Sequence, residues 1–311
     1  MNETKYSIII PVYNSEKTLN ELVLRIQAVF KEINESYELI FVDDRSQDNS
    51  WSVLMQIHDN YQNVKIIRLL RNFGQHNATV CGFSQASGKF IITMDDDLQH
   101  PPEEIPKLID EINKGYNVVF AKYRIKYHNR IENYLSRQYQ RFIHHLLGIP
   151  ESITISSFAI FTGDVVKNMI SIKSSYVFLP ALVQKSVPIN KIANVEVIHN
   201  PRKVGKSNYN IRKYLSLLLN LIINYSVLPL LIVGIFGVLI SVMSFCYGIY
   251  IIYRYLIDPT NSLMGWNSLM VALTFLGGMI LFSIAIIGEY LRRILTEVSY
   301  GQQYVIGDME L

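Results

Sequence analysis

The chain has 311 residues, 50% of them hydrophobic, and its 29 Lys+Arg against 26 Asp+Glu leave a formal charge of +3 with neutral histidines. That composition excludes an intrinsically disordered tail and a protein whose work is to coat nucleic acid. The average hides an asymmetry: residues 1 to 213 carry nearly all the charge, whereas Val227 to Gly288 is almost wholly apolar apart from one short gap. A water-soluble domain followed by a membrane anchor is expected.

Met1 to Lys5 is polar, and the apolar run after it, Tyr6 to Val12, is too short and lacks the basic start of a signal peptide. The N-terminal domain is therefore expected in the cytosol. Tyr6 to Val12, Tyr37 to Val42, Val64 to Leu69, Phe90 to Met94 and Asn117 to Ala121 are short runs rich in β-branched and aromatic residues, as in strands buried on both faces. Between them, Leu19 to Ile33 sets Leu19, Leu22, Val23, Ile26, Val29, Phe30 and Ile33 on one helical stripe, and Trp51 to Ile57 and Ala78 to Ala86 are shorter helical stretches. This alternation predicts an α/β fold with a doubly wound, mainly parallel sheet, whose ligands bind beyond the carboxyl ends of its strands.

Arg130 to Leu147 reads as a basic helix, Ile153 to Phe161 as a strand, Val177 to Ser186 as a helix and Ile192 to Ile198 as a strand before the loop Pro201 to Asn210. Ile211 to Ser226, apolar with a basic start, suits a helix lying in the membrane interface. Val227 to Ile252 and Trp266 to Gly288 carry no charge, and at 1.5 Å per residue each exceeds a hydrocarbon core of about 30 Å. Arg254 is the one basic residue of the connection, while Arg202, Lys203, Lys206, Arg212, Lys213, Arg292 and Arg293 flank the other side. The positive-inside bias puts the soluble domain and the C-terminal tail in the cytoplasm. The expected organisation is a cytosolic domain over 1–210, an interfacial helix over 211–226, a two-helix anchor over 227–288 and a cytosolic tail over 289–311. Cys81 and Cys246, one in each part, offer neither a disulfide framework nor a cysteine metal cage.

The chemistry collects at strand exits. Pro11-Val12-Tyr13-Asn14-Ser15-Glu16 follows the first strand, Asp43-Asp44-Arg45-Ser46-Gln47-Asp48-Asn49-Ser50 the second, and Asp95-Asp96-Asp97-Leu98-Gln99-His100-Pro101-Pro102-Glu103 the fourth. Three successive aspartates repel one another at about 5 Å unless a cation sits among them, so a hard divalent ion with phosphate oxygens is their natural complement. A nucleotide diphosphate site is expected there.

The succession PVYN, VDDRSQDNS, RNFGQ and DDDLQHPPE resembles the family 2 glycosyltransferases of GT-A fold, in particular the polyprenyl-phosphate sugar synthases. The likeness runs the length of the chain, and Gly288-Glu289-Tyr290-Leu291-Arg292-Arg293 resembles the GEYxGR ending of the bacterial branch. The resemblance implies a Rossmann-like GT-A domain that transfers one sugar, with inversion, from a nucleotide sugar to polyprenyl (undecaprenyl) phosphate at the inner membrane. It implies Mg²⁺ or Mn²⁺ on Asp95 and Asp97, with Gln99 near sugar and acceptor. Pro11 and Tyr13 would border the base, and Asp43 would contact base or ribose. Arg124 would face the lipid phosphate, with Arg137 a looser candidate. Arg202 and Ser207 match R-x-x-G-x-S of a loop that approaches the donor phosphates. UDP-glucose is the first donor implied, and relatives imply a homo-oligomer packed through its spans.

Three positions depart from the family pattern. Asn14-Ser15-Glu16 replaces N-E-E, so the first acidic contact to the nucleotide is missing, with Glu16 the candidate to replace it; Asn208 replaces a lysine; and no arginine follows Phe158. His144-His145 lacks a second ligand pair at metal spacing, and Gln138 to Phe142 reads as part of an amphipathic helix rather than an acceptor motif. A processive polysaccharide synthase and a non-catalytic membrane scaffold are the alternative readings; two spans offer little wall for a pore, and intact Asp95 and Asp97 oppose a scaffold.

Overall fold

A computed structural model describes residues 4–123, 148–172, 177–198, 266–299 and 304–311, with isolated positions between them. The chain divides into two compact units, one of residues 1–207 with 301–311 and the other of residues 208–300.

In the first unit, strands β1 (Tyr6–Val12), β2 (Tyr37–Asp43), β3 (Val64–Leu69) and β4 (Phe90–Thr93) alternate with helices α1 (Leu19–Ile33), α2 (Ser50–Asn60) and α3 (Gln75–Gln85). Then come α4 (Ile105–Ile112), β5 (Val118–Tyr123), β6 (Ala159–Thr162), α5 (Gly163–Ser171), α6 (Leu179–Ser186) and β7 (Ile192–Val197). The pleat explains the continuous apolar runs. Ile8 and Ile10 belong to the core that α1 and α4 cover, whereas Ile9 meets α3 on the opposite face. That second approach is close: a Cβ on Gly82 of α3 would come within 2.4 Å of Ile9 Cγ2. Only a residue without a side chain lets the helix lie this near the strand.

The eight strands among the described residues form one sheet in the order β7-β5-β6-β4-β1-β2-β3-β8, where β8 is Ile306–Glu310. Six of the eight described strands run the same way, so the sheet is mainly parallel as expected, and two strands enter it in reverse. The pairs β1–β2, β1–β4, β2–β3 and β5–β7 are parallel, but β6 runs antiparallel between β4 and β5, and β8 runs antiparallel to β3. β5 ends at the carboxyl rim, and β6 starts there, with Ala159 opposite Phe120. A chain that re-enters the sheet from the rim it has just left must run in reverse. The strand expected over Ile153 to Phe161 is confined to Ala159–Thr162; before it, Thr154 N donates to Asn194 Oδ1 and Ser157 Oγ to Asp95. Of the basic stretch after β5, only Arg141 and His144 are described, both helical.

In the second unit, Trp266–Ser299 is one continuous helix of 34 residues, here α7. Among the described residues no helix meets the length and apolarity needed to cross a membrane; many side chains of α7 lie outside the description, and the sequence leaves Trp266 to Gly288 without charge. Residues 211–226 and most of 227–252 lie outside the described residues.

Candidate active site

Four loops leave the carboxyl ends of β1 to β4, and each contains a residue in the left-handed backbone region: Asn14 (φ 55°), Arg45 (φ 61°), Gly74 (φ 88°) and Leu98 (φ 61°). Leucine in this conformation costs about 1–2 kcal/mol. Its side chain is only 2% exposed and belongs to the main core, and burying a leucine returns about 1.5–3 kcal/mol. Burial thus outweighs strain, and a turn results that leaves Asp97 and Gln99, on either side of Leu98, partly exposed. Gln99 N closes the turn by donating to Asp97 Oδ1 at 3.1 Å.

Hydrogen bonds join the four loops into a closed ring. The first and second are tied by Asn14 N to Ser46 Oγ (3.0 Å) and Gln47 N to Asn14 Oδ1 (2.7 Å). Asp44 ties the second to the third, accepting from Phe73 N at 2.7 Å and Gly74 N at 2.8 Å. Gln75 Nε2 ties the third to the fourth through Asp95 Oδ1 at 2.7 Å. Asp96 closes the ring, accepting from Tyr13 N at 3.1 Å.

Within this ring the three aspartates have different environments. Asp95 accepts from Gln75 and, at 2.7 Å, from Ser157 Oγ. Asp96 is held against the first loop, and burial pushes its carboxyl up to about 7, against the pull of Ser15 and Tyr13. Asp97 anchors the turn. Behind them His100, 4% exposed, stacks between Tyr123 and Phe158 with ring centroids 5.5 and 5.4 Å away. Asp95 N points at His100 Nδ1, at 3.4 Å, so the network assigns the ring proton to Nε2, which lies 2.6 Å from Tyr123 Oη. Burial raises the Tyr123 phenol above its usual range, so it stays a neutral partner.

The other expected residues are placed as follows. Pro11 is half-buried at the end of β1, and Tyr13 is 45% exposed, its ring open to solvent. Glu16 accepts from Asn49 N at 3.0 Å while its own N–H donates to Asp48 Oδ2, so it holds the first turn of α2. Asp43 is fully buried: Oδ1 accepts from Ser46 N at 2.9 Å, and Oδ2 lies 3.1 Å from Arg68 Nε without hydrogen-bond alignment. The Arg68 guanidinium in turn lies over Trp51. Arg124, Arg137, Arg202 and Ser207 lie outside the described residues. Asn200, two positions before Arg202, donates from its N to Gln99 O at 3.0 Å, and Ile198 N donates to the buried Glu104. Sequence reasoning assigned no individual role to Asp44, Gln75, Asp96, His100 or Ser157, although all but Ser157 stand inside the quoted motifs VDDRSQDNS, RNFGQ and DDDLQHPPE.

Residues 7–170 match the profile of the family described as "Glycosyl transferase family 2". The chain belongs to this glycosyltransferase family. Its relatives extend beyond the matched segment. The undecaprenyl-phosphate 4-deoxy-4-formamido-L-arabinose transferase of Serratia proteamaculans is 31% identical over 97% of this chain and 93% of its own length. The uncharacterized glycosyltransferase YkcC of Bacillus subtilis is 32% identical over 97% and 93%. Among solved structures, glucosyl-3-phosphoglycerate synthase of Mycobacterium tuberculosis, bound to Mn²⁺, UDP and phosphoglyceric acid, superposes with a TM-score of 0.53 at 15% identity, over 71% of this chain and 76% of that one. At that identity the likeness concerns the fold. It identifies the α/β domain of this glycosyltransferase as the Rossmann-like GT-A architecture.

The donor set fits a hard divalent cation. Asp95 and Asp97 offer carboxylate oxygens, and the two donors on Asp95, Gln75 and Ser157, are neutral and leave each of its oxygens a further lone pair. Among the described residues no group of three His, Cys, Asp or Glu side chains is gathered for a metal. A cation on two carboxylates takes its remaining ligands from phosphate oxygens and water, as Mg²⁺ and Mn²⁺ do.

Proposed function

We propose that this glycosyltransferase moves a single sugar from a nucleotide sugar to polyprenyl phosphate, with inversion, at the cytosolic face of the inner membrane. The observation that carries the proposal is the pair Asp95 and Asp97 on the carboxyl rim of β4, at the centre of a ring of loops suited to a nucleotide diphosphate. Asp95, Asp97 and nearby phosphate oxygens would hold Mg²⁺ or Mn²⁺, which when bound neutralises charge growing on the leaving diphosphate.

The residues of the chain bind and orient. The exposed ring of Tyr13 and the neighbouring Pro11 border the base, Asp43 shapes the base and ribose side from beneath, and Glu16 fixes the loop between them. Gln99, tied to Asp97, faces sugar and acceptor. Arg202 and Ser207 approach the donor phosphates on the loop that Asn200 anchors. Arg124, one residue past Tyr123, gathers the lipid phosphate, with Arg137 behind it. A phosphate monoester has a second ionisation near pH 6, so the attacking oxygen is already anionic at neutral pH and no strong general base is needed. That oxygen bonds to the anomeric carbon as the bond to the diphosphate breaks, and the electron pair leaves with the nucleoside diphosphate.

Membrane attachment rests on the apolar runs. Leu273, Ile280, Phe282 and Ile284 on α7 are each more than half exposed, as are Phe236 and Met243 in the first run; lipid is the solvent such side chains require. Residues on both sides of 208–300 belong to one unit. A chain arranged in this way crosses a bilayer an even number of times, which supports two spans with the tail on the catalytic side, in agreement with the basic flanks.

UDP-glucose is the donor to test first. The nucleotide form of 4-deoxy-4-formamido-L-arabinose is the second, because that sugar stands in the names of relatives matching 97% of the chain. Membranes containing the protein should pass label from one of these donors into a lipid extract when polyprenyl phosphate is supplied, and a chelator should stop the transfer. Polymer formation would select a processive synthase, and transfer unaffected by Asp97→Asn would overturn the proposed site.

A further inference from the structure

We infer that Gln75, with Ser157, is a positioning residue that presents the Asp95 carboxylate to a divalent cation. The inference rests on the metal reading of Asp95 and Asp97 proposed above. Its physical basis is a contrast among carboxylates. Glu38 is paired with Lys65 at 2.8 Å, Asp43 with Arg68 at 3.1 Å, Glu103 with Arg25 at 2.6 Å and Glu104 with Lys107 at 2.6 Å, so each has a cation partner. Asp95 is bracketed by an amide and a hydroxyl, one on each oxygen and each at 2.7 Å. The imidazole near it, with Nδ1 at 3.7 Å, faces the Asp95 backbone N–H. Neutral donors set the direction of a carboxylate without cancelling its charge, whereas a lysine or arginine would compete with a bound cation.

The position of Gln75 is itself built. It is the first residue of α3, directly after Gly74 at φ 88°. Asp44, 3% exposed, clamps the N–H groups of Phe73 and Gly74 just before it. Gln75 is exposed, so its replacement removes the amide donor without opening the core. Ser157 approaches from the other side, two residues before β6.

The test uses the full-length protein in detergent, with Mn²⁺ as the probe followed by electron paramagnetic resonance, alone and with UDP or GDP. Gln75→Met keeps the length and loses the donor, and Ser157→Ala removes the hydroxyl. Each should weaken Mn²⁺ binding about tenfold, within the range of about 10–100-fold found when groups that orient metal ligands are removed. The metal-free melting temperature should stay within a few degrees of the unaltered protein, which a merely structural role would not allow. Equal Mn²⁺ affinity in Gln75→Met and the unaltered chain would overturn the inference and leave the metal reading standing. An unaltered chain that takes up no Mn²⁺ with either nucleotide would remove the metal reading, and this inference with it.

Discussion

Asn200 N donates to Gln99 O at 3.0 Å, binding the segment after β7 to the turn that carries Asp97. Residues 101 positions apart are thereby held together just before the basic loop. Glu104 reinforces the join: it is 6% exposed, and Oε2 accepts from Ile198 N at 3.2 Å and from Lys107 Nζ at 2.6 Å.

Glu104→Ala should therefore loosen delivery of Arg202 to the donor phosphates while leaving the aspartates in place. Losing the acceptor strands Ile198 N and costs about 1–3 kcal/mol. The donor KM is expected to rise several-fold with a smaller change in kcat. Steady-state rates at saturating acceptor measure this, and an unchanged donor KM would count against the proposed path of the loop.

The three aspartates should respond differently to the same substitution. Asp95→Asn and Asp97→Asn remove charge where the cation is proposed, and kcat/KM should fall by about 10²–10³. Asp96→Asn keeps an amide oxygen for Tyr13 N and should retain activity within several-fold, whereas Asp96→Leu removes the acceptor that closes the ring of loops. Initial rates alongside circular dichroism separate lost chemistry from lost structure. Equal losses for all three asparagine variants would contradict the division of roles.

The elements that sequence reading places well are those whose burial dictates their pattern. Tyr6–Val12, Val64–Leu69 and Leu19–Ile33 fall where their apolar residues require them. β8, with the sequence IGDME, was not legible, because an edge strand paired through its backbone needs no alternation and this one is largely exposed. Three consecutive aspartates announced a site, but not that one orients toward the first loop, one toward Gln75 and Ser157, and one toward its own turn. Those directions follow from the left-handed backbone at Leu98 and from bonds between distant loops. Gln75 had a motif signal, since it directly follows a glycine at a strand exit. Ser157 had none, because it reaches Asp95 only when β6 inserts in reverse beside β4.

Acid should also act at the opposite end of the sheet. Glu38, 6% exposed, accepts from Ser7 Oγ, Ser87 N and Ser87 Oγ and pairs with Lys65. Burial pushes its carboxyl up, but Lys65 and the serine donors together outweigh burial and hold it below its usual 4.5. A lowered folded value means that the stabilisation is fully present above about pH 5 and is lost as pH falls through the folded value. Glu38→Gln should destabilise by about 1–3 kcal/mol near neutrality. It should also flatten the decline of melting temperature between pH 5 and pH 3, and an unchanged acid slope would show that the charge of Glu38 contributes nothing to it.

Removal of the last strand should be felt in both stability and activity. β8 covers the edge of β3, pairing Ile66 with Glu310 and Leu69 with Ile306, and the segment before it binds the third loop and α3 through Leu70 N to Val305 O and Tyr304 Oη to Ser84 Oγ, each at 2.9 Å. Without Tyr304 to Leu311, β3 becomes an open edge that invites pairing with other chains. The lost backbone bonds, at about 0.5–1.5 kcal/mol each, are only partly replaced by water. A fall of about 5–10 °C in melting temperature is expected, at about 2–4 °C per kcal/mol for a unit of this size. Loop three would lose its tether at Leu70, and Gln75 follows five residues later, so Mn²⁺ affinity should fall together with stability. The single substitution Tyr304→Phe removes only the hydroxyl bond to Ser84 and should leave the sheet edge covered, with a loss near 1 kcal/mol. A truncated chain that melts and binds Mn²⁺ like the intact one would mean that β8 adds nothing to the sheet it joins.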